Sequence, residues 1–173
     1  MIIKKTILSI VVILITFLLQ TTFFQAIALA DVVPNLVLVT TVSYGFIRGR
    51  THGMWIGLVC GLMLDMMYGS VIGLYGYILM TIGFFIGYIR KVFYTESILL
   101  PIVLISVGDF VYSIYYYVTE FLLRGRLHFL FYFFHIMLPE ILYTVLVGVL
   151  IFYAIRIMDE FVTNPRRRRE EEF

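Results

Sequence analysis

The chain has 173 residues, of which 62% are hydrophobic, 17% aromatic and 14% charged. Soluble domains carry roughly 25% charged residues, so this balance excludes one and describes an integral membrane protein with almost no extramembrane mass. The net charge of +2 is too small to argue for nucleic acid, and a single cysteine, Cys60, excludes an intrachain disulfide or a zinc site.

Six apolar segments follow along the chain, which predicts an all-α bundle of six transmembrane helices. The first runs from about Thr6 to Ala30, after Lys4 and Lys5. Ala28-Leu29-Ala30 before Asp31 has the form of a signal cleavage site, but the apolar stretch is long enough to span a bilayer and reads as a retained span. The second runs from about Val32 to Ile47, with Pro34 suited to a first helical turn, and is closed by Arg48, Arg50 and His52. The third, Gly53 to Tyr68, ends at Gly69-Ser70, and the fourth, Val71 to Ile89, ends at Arg90-Lys91. The fifth covers about Ile98 to Leu123 and the sixth about Phe129 to Ile157. Residues 1–163 thus form the membrane domain, and 164–173 a charged tail in which Arg166 to Arg169 precede Glu170 to Glu172.

Segments two and three are short, since sixteen helical residues reach only ~24 Å against a hydrocarbon core of ~30 Å. They span a thinned bilayer, sit inside the bundle, or form a re-entrant pair. With six spans and an inner N-terminus, eleven of the 13 basic residues fall inside and only Arg124 and Arg126 outside. Both termini are therefore expected in the cytoplasm.

The third segment carries Gly53, Gly57, Gly61 and Asp65 at a step of four, continued by Gly69 and Gly73 beyond the helix break. Glycines one turn apart strip a helix face and let another backbone approach. Gly83 and Gly87 offer a second such seam on the fourth segment. These five glycines are expected to form a helix-packing or partner interface. Leucine at position 57 or 61 is expected to abolish partner recovery while the protein still inserts.

Three acids lie within spans: Asp65, Asp109 and Glu140. Counted from the segment ends, Asp65 and Asp109 lie ~18 Å from the inner side and Glu140 ~16 Å from the outer side, so all three fit one polar layer. Intramembrane acids are costly and face a bundle interior. Ser106, Asp109, Ser113, Tyr116 and Glu120 form one stripe of the fifth segment, and Glu140, Thr144 and Gly148 another on the sixth. Hydroxyls and amides on these faces, with Thr16 and Gln20, would enclose the acids. Such a layer is either a structural network or a site for a cation, a proton or a partner's basic group. Glu120 and Arg124 read as a surface ion pair, and His128 and His135 flank an aromatic run that reads as an interfacial belt. There is no nucleophile–base pair, P-loop or metalloprotease motif, so neither catalysis nor a cofactor or metal is expected.

The order of these features resembles the rod shape-determining protein MreD family. The likeness rests on Pro34-Asn35-Leu36, the GxxxGxxxG ladder, Leu64-Asp65, Gly69 and Gly73, then Gly83 and Gly87, Val107-Gly108-Asp109 and Leu138-Pro139-Glu140. The resemblance implies a non-catalytic subunit of the bacterial cell-elongation complex in the inner membrane. Its implied partner is MreC, a single-span protein with a large outer domain, with indirect links to MreB, RodA and a class B penicillin-binding protein. The family is similar in architecture to substrate-binding subunits of energy-coupling-factor transporters. A small-molecule-binding subunit is therefore the alternative function, with Asp65, Asp109 and Glu140 lining an outward cavity.

Overall fold

The computed structural model describes residues 2–28, 32–69, 72–90, 99–122 and 129–163. The signal-site residues 29–31, Ser70, Lys91, Arg124, Arg126, His128 and the charged tail 164–173 lie outside the described residues. Among the described residues, six helices make up the bundle. Helix α1 covers Ile2–Leu18 and continues through a π turn, Leu19–Phe23, to Phe24–Ala26. Helices α2 (Leu36–Arg48), α3 (Arg50–Tyr68) and α4 (Leu74–Ile89) come next. Helix α5 covers Leu99–Tyr117 and ends in a π turn at Val118–Leu122. Helix α6 begins at Phe129–Tyr132, passes a π turn at Phe133–Met137 and runs on as Leu138–Thr163.

Three of these helices are long and apolar enough to cross a membrane, within Ile3–Ala26, Leu99–Glu120 and Phe129–Thr163. They keep broad apolar faces outward, as lipid permits: Ile3, Leu18, Leu142, Leu146 and Leu150 are all more than half exposed. The short helix α2 forms the interior. Every residue of α2 from Leu36 to Gly45 is buried, so the second segment sits inside the bundle. It packs against α1, α3, α4, α5 and α6. At 13 residues it reaches only ~20 Å, and its first turn is buried within protein.

A buried helix start leaves N–H groups that must find acceptors. For α2 they come from several elements. The Asn35 side chain accepts from the Leu38 N–H at 3.2 Å, and Gln20 Oε1 on α1 accepts from the Val37 N–H at 2.9 Å. Thr144 Oγ1 on α6 accepts from the Asn35 N–H at 3.0 Å. Thr40 donates to Thr16 at 3.0 Å and so joins α2 to α1. Polar residues inside this apolar bundle thus fix which helices surround α2 and at what height.

The α2–α3 turn is made by Gly49 at φ 95°, a conformation that L side chains rarely adopt. Helices α3 and α4 then form the most extensive contact among the described residues. The glycines explain why. A Cβ on Gly53 would meet both Gly45 Cα and the Gly83 carbonyl oxygen at 2.5 Å. A Cβ on Gly57 would strike the Leu79 carbonyl, and one on Gly61 the backbone of Tyr75 and Gly76. Across the seam, a Cβ on Gly83 would strike the Gly53 carbonyl and one on Gly87 the backbone of Arg50. All five predicted seam glycines are therefore engaged in packing α3 on α4, with Gly45 of α2 at the same crossing. Gly69 and Gly73 have other tasks: Gly69 closes α3, and Gly73, at φ 102°, opens α4.

Candidate functional site

The end of the bundle where α2 begins holds two cavities that share Val33, Tyr112 and Tyr116. One, of about 240 Å³, is lined by Val32, Ser113, Tyr132, Ile136 and Glu140 besides the shared residues. The other, of about 260 Å³, adds Gln20, Gln25, Leu64, Tyr68, Tyr75 and Glu120. Their common wall is tyrosine: the Tyr75 ring stands 6.1 Å from Tyr112 and 6.3 Å from Tyr116. Tyr132 closes the smaller cavity, with its hydroxyl directed at the Ser113 carbonyl at 3.5 Å. Each of the three π turns supplies one lining residue: Gln20, Glu120 and Ile136. A π turn inserts an extra residue into a helix and rotates the side chains beyond it, and such turns gather at functional sites.

Asp109 and Ser113 lie one turn apart on the face of α5 turned toward this region and are 0% and 1% exposed. Among the described residues, neither Asp109 carboxyl oxygen has a hydrogen-bond partner, and the Ser113 hydroxyl also lacks one. The side chains of Asn35 and Thr144 flank the Asp109 carboxyl without a bond of good geometry. Glu140, half-buried on α6, stands close enough to Asp109 for the two carboxyls to repel when both are charged. The structure thus brings Asp109, Ser113 and Glu140 together.

It does not bring Asp65 to them. Asp65 is 2% exposed and its carboxylate turns to the start of α4, accepting from the Tyr75 N–H at 3.0 Å and the Gly76 N–H at 2.9 Å. An anion on the first N–H groups of a helix meets the positive end of its dipole, so this acid is satisfied without a cation. The three-acid layer expected from depth is a pair plus a helix cap. Ser106 also stands apart: its hydroxyl donates to the Ile102 carbonyl of its own helix at 2.7 Å.

The opposite end holds a feature the segment limits concealed. Arg48, at the end of α2, donates from Nε to Asp159 Oδ1 on α6 at 2.7 Å. From Nη1 it reaches the Ser9 hydroxyl at 2.6 Å and the Lys5 carbonyl at 3.1 Å. The Arg48 guanidinium also lies 4.8 Å from the Tyr44 ring centre. This ion pair is buried, with side chains 7% and 9% exposed, and ties α1, α2 and α6 at one level. Ending the sixth segment at Ile157 left Asp159 outside it. The signal was nevertheless present: Thr144, Gly148, Phe152, Ile155 and Asp159 follow a helical stripe, and all five are buried.

These features define an all-α integral membrane protein whose glycine seam is closed internally and which keeps a tyrosine-walled space at one end. The family model described as rod shape-determining protein MreD matches residues 1–161, and the chain belongs to that family. Its role accordingly lies in rod shape determination. Neither the curated proteins nor the solved structures gave a match, so the likeness to energy-coupling-factor subunits has no solved structure behind it.

Proposed function

We propose that the protein is a non-catalytic subunit of the bacterial cell-elongation complex. It sits in the inner membrane with both termini cytoplasmic, binds an MreC-like single-span protein, and through it works with MreB, RodA and a class B penicillin-binding protein. The family match over residues 1–161 carries this reading. The geometry bears on how a partner is held. Because Gly53, Gly57, Gly61, Gly83 and Gly87 are already packed against backbone, a partner helix must use the exterior. Helix α6 offers Leu138, Leu142, Leu146 and Leu150 at a step of four, 41 to 70% exposed. A second row lies on α1 at Ile3, Ile7, Leu14 and Leu18.

The test is a photo-crosslinking amino acid placed singly at Leu142, Leu146, Ile7 and Leu14 in native membranes. Adducts with the MreC-like protein from one row and not the other support the reading and locate the face. Adducts from neither row, with normal protein levels, overturn exterior docking through α1 or α6. The tyrosine-walled cavities favour a second reading, a small-molecule-binding subunit of an energy-coupling-factor-type transporter. Crosslinking to a coupling subunit and its ATPase would establish it.

A further inference from the structure

The smaller cavity carries an assignment beyond shape determination. Its wall holds one acid, Glu140, the phenols of Tyr112, Tyr116 and Tyr132, and the aliphatic hydroxyl of Ser113, which is 1% exposed and has no hydrogen-bond partner among the described residues. One turn away on the same helix, both oxygens of the fully buried Asp109 are equally unpartnered. Buried polar groups are nearly always paired, so an unpaired hydroxyl on the cavity wall, with an unpaired carboxyl one turn deeper, suits a ligand that brings donors. No lysine or arginine lines the space among the described residues. An acid on a wall without a basic partner among the described residues suits a cation that brings its own N–H donors.

The remaining chemistry narrows it further. No group of three or more His, Cys, Asp or Glu side chains among the described residues could hold a metal ion, and divalent cations demand several converging oxygens. Tyr112, Tyr116 and Tyr132 line the space instead, and aromatic residues are the side chains that attract an organic cation. A quaternary ammonium would satisfy the rings but offers no donor to Ser113 or Glu140. A primary ammonium has three N–H donors and suits both. We propose that this cavity binds a primary ammonium group, carried by a small amine or by an ethanolamine phospholipid headgroup, with Glu140 as counter-ion, Ser113 as acceptor and the tyrosines as walls.

The test uses the full chain, delipidated in detergent, with thermal unfolding as readout. Ethanolamine hydrochloride should raise Tm in a saturable way, whereas sodium chloride and choline chloride at equal ionic strength should not. Glu140→Gln should remove the rise, and Ser113→Ala should weaken apparent affinity about tenfold, as loss of one hydrogen bond to a charged group would. A parallel arm compares nanodiscs of pure phosphatidylglycerol with nanodiscs containing phosphatidylethanolamine. Stabilisation in that arm alone assigns the lipid headgroup, and stabilisation by free ethanolamine assigns the small amine. An equal response to choline or sodium, an undiminished response in a folded Glu140→Gln or Ser113→Ala protein, or no response in either arm overturns the assignment. None of these outcomes depends on whether an MreC-like protein is captured.

Discussion

The glycine seam between α3 and α4 makes the sharpest prediction, because two glycines in the same contact should behave oppositely. At Gly57 an alanine Cβ would strike the Leu79 carbonyl and lie 2.9 Å from Thr41 Cγ2, and the backbone it meets cannot rotate aside. Overpacking of this kind costs about 1–3 kcal/mol, and a backbone clash belongs at the upper end. Alanine returns up to about 1 kcal/mol in helix propensity, which leaves a net loss of about 2 kcal/mol. For a chain of this size that is a fall in Tm of about 4–8 °C. Gly61→Ala, striking the backbone of Tyr75 and Gly76, should do the same. Gly76 lies across that contact, yet its own Cβ would meet only side-chain atoms at 3.4 to 3.5 Å, ordinary contact distances. Gly76→Ala should therefore be neutral or slightly stabilising. Fluorescence-detected size-exclusion chromatography of heated, detergent-solubilised protein measures all three variants. Equal stability of Gly57→Ala and the parent, or an equal loss for Gly76→Ala, would refute the seam. Leucine at position 57 should then lower the yield of folded protein, and with it partner recovery, rather than remove a docking face from an intact bundle.

Three further predictions concern the polar interior. Asp65→Asn removes the charge and one of two acceptors at the start of α4, and should cost about 1–2 kcal/mol in the same thermal assay, whereas Asp65→Glu should retain part of the cap. Asp159→Asn or Arg48→Met strands one member of a buried ion pair and should cost about 3–5 kcal/mol; the double change Arg48→Met, Asp159→Leu should recover much of that, and additive losses would argue against a shared pair. Thr144→Val deprives the Asn35 N–H of its acceptor and should destabilise by about 1–3 kcal/mol, while Thr144→Ser, which keeps the hydroxyl, should be close to the parent.

Much of the architecture was legible because lipid imposes a simple rule. A membrane segment must be apolar and satisfy its own backbone, so the six runs of sequence located the helices, while the shortness of the second segment left a thinned bilayer, a place inside the bundle and a re-entrant pair all open. Spacing of four revealed a bare face at Gly53, Gly57 and Gly61, but a bare face does not name the helix that fills it. That choice depends on how α4 lies along α3, where Gly53, Gly57 and Gly61 meet the backbone of Gly83, Leu79 and Gly76 in turn. Asp65 was visible as a buried acid and misplaced in role. Its capping bonds reach the N–H groups of residues ten and eleven positions ahead, with none of the local spacing of an ordinary helix cap. Depth along the helix gave Asp109 and Glu140 a common level, and the structure brings them near each other. The Arg48–Asp159 pair spans 111 positions, and a reading in which Arg48 served only as a topological charge gave no reason to look for its acid.

Membership in the MreD family makes the protein a part of rod shape determination, and the proposed role turns on what it holds. Affinity capture of the full chain from native membranes, with mass spectrometry of the recovered proteins, tests that most directly. The account predicts recovery of a single-span MreC-like protein, at undiminished levels in the stability-neutral Gly76→Ala variant. Recovery of an ATPase with its coupling subunit, and no MreC-like protein, would contradict it.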